Sequence, residues 1–337
     1  MTGTLPTAVD AVTWHVRPAI EASLNRLTPM MRRVSGYHLG LFDKDGNPAS
    51  GGGKSLRPAL ALLSARAAGA APERGIPAAV AVELVHNFSL LHDDIMDGDT
   101  ERRHRPTAWT VYGSSAAILA GDALLTLSQE ILLDEDTKGA RWAARCLAAA
   151  TQRLITGQTA DLDFETRDDV SLDECVTMAS DKTASLLACA ASIGAMLVSA
   201  SPRLVAGLAD YGTRVGLAFQ LVDDLLGIWG DPSVTGKPVL SDLRTRKKSL
   251  PVVSALNAGT PESTRLGELL RTTGPLSEED LRLAAKLIED AGGRQWCEQE
   301  AARQLEAARE GLTDAGVPDP IVAEFMEIAE FVTSRDR

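Results

Sequence analysis

Glu83-Leu84-Val85-His86-Asn87-Phe88-Ser89-Leu90-Leu91-His92-Asp93-Asp94-Ile95-Met96-Asp97 is an apolar helical run closed by three aspartates. Asp93 and Asp97 are four apart and share one helix face, while Asp94 lies about 100° around the axis. Carboxylates this dense in helix-forming sequence repel one another and resist desolvation unless a cation neutralises them. Mg²⁺ suits such hard oxygen donors, with a phosphorylated substrate completing its shell. Asp94 either binds the metal less directly or braces its neighbours. The helix is expected to end near Gly98, and Arg102, Arg103 and Arg105 follow in a loop. Arginine grips phosphate oxygens bidentately, so acids followed by arginines suit a metal-bound diphosphate. His86 lies two turns before Asp93 on the same face, as a satisfied core residue or as a phosphate contact.

A second acidic run, Phe219-Gln220-Leu221-Val222-Asp223-Asp224, follows about 130 residues later in another apolar helical stretch. Gln220 precedes Asp223 by one step of three and can donate to a ligand. Lys237, in the Gly236-Lys237-Pro238 turn, is placed to close over phosphate, and Lys182-Thr183 offers another cation and a hydroxyl. Singly these are surface or cap residues; their meaning comes from the ensemble. Gly51-Gly52-Gly53-Lys54-Ser55-Leu56-Arg57-Pro58 is not a Walker loop, because position 48 is Pro48 and no strand precedes it. Asp43 to Asn47 is a turn, not a calcium loop: its glycine falls too early and Lys54 stands where a glutamate is needed. Lys54 and Arg57 open a helix, whose N-terminus with added cations suits a second phosphate.

The 337 residues are 45% hydrophobic, 24% charged and 4% aromatic, as in ordinary globular proteins. Nearly every segment has helical periodicity, breaks fall at Gly and Pro clusters, and no credible sheet is visible. The expected fold is all-α: one antiparallel bundle of about ten or more helices spanning residues 1–337, with the two acidic helices lining one cavity. A net charge of −12 excludes a nucleic-acid surface. Cys146, Cys175, Cys189 and Cys297 show no C-x-x-C spacing and read as free thiols of a reducing, cytoplasmic compartment. The opening residues carry no signal-peptide pattern. Thr183 to Pro202 has no charge over 20 residues, but its Ala, Ser and Gly content reads as a buried core helix, not a membrane span.

These residues together resemble the trans-isoprenyl diphosphate synthases, or polyprenyl synthetases. The resemblance rests on Asp93-Asp94-x-x-Asp97 with Arg102-Arg103, on Asp223-Asp224 after Phe219-Gln220, and on Gly53-Lys54-Ser55-Leu56-Arg57-Pro58. His86, Lys182-Thr183 and Gly236-Lys237 follow in the family's order. The match is close over residues 35 to 255 and its motifs are highly specific in combination. It implies the isoprenoid synthase fold, a homodimer, and Mg²⁺-dependent head-to-tail condensation of isopentenyl diphosphate with an allylic diphosphate. By that resemblance Asp93, Asp97 and Asp223 ligate about three Mg²⁺ ions, with Asp94 and Asp224 in support. Arg102, Lys182, Thr183, Gln220 and Lys237 bind the allylic diphosphate, and Lys54, Arg57, His86 and Arg103 bind isopentenyl diphosphate. Asp93, Asp94, Asp97, Arg102, Lys182, Asp223 and Lys237 form the catalytic set.

Two positions depart from the family pattern. Gly227 replaces the third acid of the second motif, and His104 replaces a glycine after the arginine pair. Phe88 lies about 7.5 Å below Asp93 along the helix, with the small Ser89 beside it. In the family a lone aromatic at that depth implies a C20 product, geranylgeranyl diphosphate, with farnesyl diphosphate or a longer chain as alternatives. A terpene cyclase would carry N-D-x-x-S-x-x-x-E and lack Lys54 and Arg57. A non-catalytic partner subunit would have lost its aspartates.

Overall fold

Ala- and Leu-rich stretches lose little side-chain freedom in a helix, and the described residues are accordingly helical almost throughout. The computed structural model describes residues 7–49, 51, 53, 55–232 and 238–334, with side chains from residue 14. The helices are α1 Thr7–Leu24, α2 Pro29–His38, α3 Leu56–Ala67, α4 Ile76–Met96, α5 Ala108–Tyr112, α6 Ser114–Leu133, α7 Lys138–Phe164, α8 Leu172–Ala179, α9 Ser185–Leu197 and α10 Pro202–Trp229. After the second acidic run come α11 Ser241–Arg244, α12 Leu250–Leu256, α13 Pro261–Leu270, α14 Glu278–Asp290, α15 Gly293–Asp314 and α16 Asp319–Thr333. Their ends follow local chemistry. Proline opens α2, α4, α12 and α13, where its missing N–H costs nothing. Reciprocal capping boxes open α8 at Ser171/Glu174 and α14 at Ser277/Asp280.

The expectation of no sheet fails at one small place. Glu101–Arg102 pairs antiparallel with Arg105–Pro106 in a two-residue hairpin. Arg103 (φ 53°) and His104 (φ 59°) both take left-handed backbone, as the mirror-image turns of tight hairpins require. Histidine tolerates that region better than most side chains, so His104 keeps the turn that glycine would make.

The described residues group into two compact units. Unit 1 comprises residues 1–151, 189–209 and 313–325. In it α4 packs on α6 and α3, and α1 on α3. Gly194 of α9 lies against the Ala61 carbonyl, where a side chain would not fit, and the buried Ser64 hydroxyl donates to Ala61 O (2.9 Å) while accepting from Ala195 N (3.3 Å). Unit 2 comprises residues 152–188, 210–312 and 326–337. Its core joins Phe164, Cys175, Leu217, Leu221, Leu250 and Cys297, with a second cluster around Ile228, Leu243, Leu266 and Ile288.

The uncharged run from Thr183 to Pro202 is not one helix. A π-turn covers Ser180–Ala184, α9 ends at Leu197, and Ser199 (φ 59°) turns the chain into α10. Most of α9 is buried. Among the described residues, α6 is the one helix long and apolar enough to cross a membrane.

Candidate active site

In unit 1, α4 ends at Met96 with Asp97 as its C-cap, and Gly98 (φ 69°) turns the chain away. Asp93 is half-buried and Asp97 exposed, one turn apart. Asp94 points inward. Its side chain is 1% exposed, and Oδ1 accepts from Arg102 Nε at 2.6 Å. Burial raises its pKa, against the pull of Arg102. One carboxylate oxygen of Asp94 thus holds Arg102, while the other, Oδ2, is buried without a hydrogen-bond partner.

Behind the acids stands a basic cluster. Arg57, in the first turn of α3, donates through Nη1 to His86 Nε2 at 3.3 Å. Burial pushes the Arg57 guanidinium down to about 10 and holds His86 well below the usual histidine range. A neutral His86 is therefore an acceptor for Arg57, its proton sitting on Nδ1. His38, from α2, is pushed down to about 3 by burial and then by Arg103, Arg102 and Arg105. Glu83 is the acid of this cluster. It is raised by burial, opposed by Arg57, and accepts from Asn87 Nδ2 at 3.1 Å. His38, Arg102, Arg103, Arg105, Asp94 and Tyr37 line a cavity of about 170 Å³. Buried Nε2 of His38, Nε of Arg57, Oδ1 of Asn87 and Oδ2 of Asp94 have no hydrogen-bond partner. Native interiors seldom leave such atoms unpaired unless a ligand or water completes them.

Phe88 is buried and meets the His92 ring edge-on, with centroids 4.9 Å apart. His92 Nε2 lies 3.1 Å from the Ile118 carbonyl of α6, and Gly121 leaves room for its ring. Ser89 is also buried, with its hydroxyl donating to His86 O at 2.9 Å. Phe88 and His92 thus form one wall between α4 and α6.

In unit 2, Asp224 is 3% exposed and fully engaged. Its Oδ1 accepts from Gln220 Nε2 at 2.8 Å, its Oδ2 accepts from Leu250 N at 2.9 Å, and Lys247 Nζ stands 3.6 Å away. Gln220 Oε1 in turn accepts from Thr183 Oγ1 at 2.7 Å. Thr183 and Lys182 sit in the π-turn, a feature common at functional sites. Gly157 of α7 permits that turn's close approach, since a side chain there would meet the Lys182 backbone. Lys182 pairs with Asp161. Asp223 is half-buried beside Asp224. Lys54 and Lys237 lie outside the described residues.

Sequence reasoning missed Glu83, His38, Asp161 and Lys247, which enter only through tertiary contact. Among the described residues, no three His, Cys, Asp or Glu side chains form a metal cage by themselves. The carboxylates of Asp93, Asp97 and Asp223 are hard oxygen donors of the kind Mg²⁺ takes together with phosphate oxygens and water. The unpaired, buried Asp94 Oδ2 beside Asp93 marks the same need for a partner.

Comparison with known proteins agrees with this chemistry. The polyprenyl synthetase profile matches residues 47–288. A (2E,6E)-farnesyl diphosphate synthase of Mycobacterium tuberculosis is 48% identical over 95% of this chain and 90% of its own length. A geranylgeranyl diphosphate synthase of the same species is 41% identical over 88% of this chain and 86% of its own. The crystal structure of a polyprenyl synthetase from Streptomyces coelicolor superposes with a TM-score of 0.91 at 52% identity, covering 98% of this chain and 99% of that one.

Proposed function

This chain belongs to the polyprenyl synthetase family of trans-prenyl diphosphate synthases, and from that premise we propose that it condenses isopentenyl diphosphate with an allylic diphosphate to give geranylgeranyl diphosphate. The observation that carries the reading is the set of buried, unpartnered polar atoms on His38, Arg57, Asn87 and Asp94. Diphosphate oxygens would accept from the nitrogens of His38 and Arg57, while the oxygens of Asn87 and Asp94 are acceptors and call for a donor or a cation.

In this reading Arg57, His86 and Arg103, with Lys54, bind isopentenyl diphosphate. Arg102, Lys182, Thr183, Gln220 and Lys237 bind the allylic diphosphate. Asp93, Asp97 and Asp223 ligate Mg²⁺, on which the family generally depends, and Asp94 and Asp224 hold Arg102 and Gln220 in place. About three bound ions would supply charge neutralisation of the leaving group. The allylic C–O bond breaks and its electron pair leaves with the diphosphate. The isopentenyl double bond attacks the carbocation, and the new cation loses a proton to the departed diphosphate. Arginine and lysine stabilise that leaving group electrostatically. The apolar face of α4 gives the cation no nucleophile, and neutral His86 serves binding, not proton transfer.

Phe88, buried below Asp93, favours the C20 product. Farnesyl diphosphate is the second reading, favoured by the 48% identical relative of that name. Residues 1–337 are read as one functional domain, because likeness to a single polyprenyl synthetase runs over 98% of the chain. A homodimer is supported by Ile118, Leu119 and Leu133 standing exposed on α6, and a cytoplasmic location by four free thiols.

The deciding experiment is chromatography of products made with Mg²⁺ from each allylic primer in turn. Asp93→Ala and Asp223→Ala should keep the fold and lose on the order of 10²–10⁴ in rate; near-normal turnover in both would defeat the metal assignment. Phe88→Ala should lengthen the product, and an unchanged profile would remove Phe88 from that role.

A further inference from the structure

Two of the four free cysteines meet across a helix pair in unit 1. Cys146 of α7 and Cys189 of α9 hold their Sγ atoms 3.6 Å apart. Gly139, two turns before Cys146, lies against the backbone of Leu197, two turns after Cys189. A Cβ built on that glycine would come 2.2 Å from Leu197 O. The two helices therefore run antiparallel with their backbones nearly in contact, and two turns along each, the same faces bring the thiols together. A disulfide needs its sulfurs about 2.05 Å apart, so closure from 3.6 Å is a movement of about 1.5 Å, the scale of a side-chain rotation. The two sulfurs are not alike. Cys189 is fully buried, while Cys146 is only partly so. Contact with the Cys189 thiol first, and with Ser192, lowers the Cys146 pKa against burial, whereas Cys189 is held well above the ordinary thiol range by that same contact and by burial. A thiolate, the reactive form, thus arises on the more accessible sulfur with a neutral thiol beside it. Cys175 and Cys297 lie buried in unit 2, and burial raises both.

We propose that Cys146 and Cys189 form a peroxide-sensitive pair, in which Cys146 is oxidised and Cys189 resolves it to an intramolecular disulfide. The Cys146 thiolate attacks one oxygen of hydrogen peroxide. The O–O bond breaks, Cys146 becomes a sulfenic acid, and the departing hydroxide takes the proton that Cys146 gave up. The Cys189 sulfur then attacks the Cys146 sulfur. The S–O bond breaks, and the second hydroxide leaves with the Cys189 proton as water. Two thiols and one peroxide thus become one disulfide and two waters, each sulfur giving up one electron. In a reducing compartment such a bond is transient and belongs to redox sensing or redox catalysis. Thiol exchange returns the pair to its reduced form. Neither cysteine is assigned to substrate or metal, so the inference stands or falls apart from the proposed prenyl transfer.

The test is intact mass spectrometry of the full chain after exposure to a modest excess of hydrogen peroxide, with free thiols then alkylated under denaturing conditions. Wild type should become about 2 Da lighter, keep Cys175 and Cys297 free, and yield a Cys146–Cys189 cross-linked peptide that dithiothreitol cleaves. Cys189→Ser should stop at the sulfenic acid, about 16 Da heavier and captured by dimedone. Cys146→Ser should keep all its remaining thiols through the same exposure. The oxidised wild type should melt above the reduced chain, because the bond constrains the unfolded state. Four free thiols in treated wild type, a disulfide that includes Cys175 or Cys297, or a sulfenic acid left standing on wild-type Cys146 would overturn the proposal. An oxidised chain that melts below the reduced one would overturn it too, since the sulfurs would then have been forced together instead of found in place. Wild type decides alone if either serine variant does not fold.

Discussion

Around Arg57, His86 and Arg103 in unit 1, several buried polar atoms have no partner, and burial lowers the pKa of cation after cation. Around Asp224 in unit 2, each carboxylate oxygen has a fixed donor, and the network runs on through Gln220 to Thr183. The first region leaves nitrogens of His38 and Arg57 without an acceptor and oxygens of Asn87 and Asp94 without a donor. The second is finished without ligand and holds its binding groups in position beforehand. Mutation should therefore cost affinity in the first and stability in the second.

The sharpest way to break that contrast is Asp224→Ala. It strands Leu250 N, Gln220 Nε2 and the Lys247 ammonium at once. Removing one member of a buried charged set costs about 3–5 kcal/mol, and the lower figure applies here because the Lys247 side chain is 38% exposed. Urea unfolding should show the loss with or without substrate. A variant as stable as wild type would mean that the network contributes nothing. Next in size is Arg57→Met. Glu83 loses the strongest charge opposing its burial but keeps Asn87 and the influence of Arg103, and Arg57 sheds its own desolvation penalty, so the loss of unfolding free energy should be smaller than for Asp224→Ala. The KM for isopentenyl diphosphate should rise on the order of 100-fold, as expected when a charged hydrogen bond to a phosphate is lost. An unstable variant with normal KM would reverse the roles of the two regions.

The sequence discloses one region better than the other, for physical reasons. The acidic runs declare themselves because four-residue spacing puts Asp93 with Asp97, and the end of α4 follows from Gly98. The direction of Asp94 was half legible: its angle around the helix is fixed by sequence, but its pairing with Arg102 depends on the hairpin. That hairpin was hidden because Arg103-His104 lacks the Asn-Gly signal of tight turns. The π-turn at Lys182-Thr183 was hidden because it depends on space left by Gly157, 25 residues earlier. Glu83 carries no signal of a role in the sequence, and only burial near Arg57 and Arg103 gives it one. Gly227 was visible as a departure, but not that a side chain there would meet Asp242 of α11, since α11 reaches α10 only through the fold.

His38 gives the smallest and most selective test of the contrast. Its folded pKa is about 3, lowered by burial and then by Arg103, whereas an unfolded histidine takes up a proton near 6.5. Between those values the unfolded state binds more protons, so stability rises with pH and is lost as pH falls below about 6.5. One histidine contributes about 1 kcal/mol of that loss between pH 7 and pH 5.5. His86 adds a loss of the same sign. Glu83, raised in the folded state, works in the opposite direction above its unfolded value, so the whole-protein slope mixes signs. The difference between wild type and His38→Asn isolates one group. Urea unfolding at the two pH values should show a shallower fall in the variant by about 1 kcal/mol. Saturating inorganic pyrophosphate should flatten the wild-type curve as well, because an anion beside His38 lets the imidazole hold its proton in the folded state. Equal slopes in wild type and variant, with and without pyrophosphate, would show that His38 is solvated and that the unit 1 site is less unfinished than its unpaired atoms suggest.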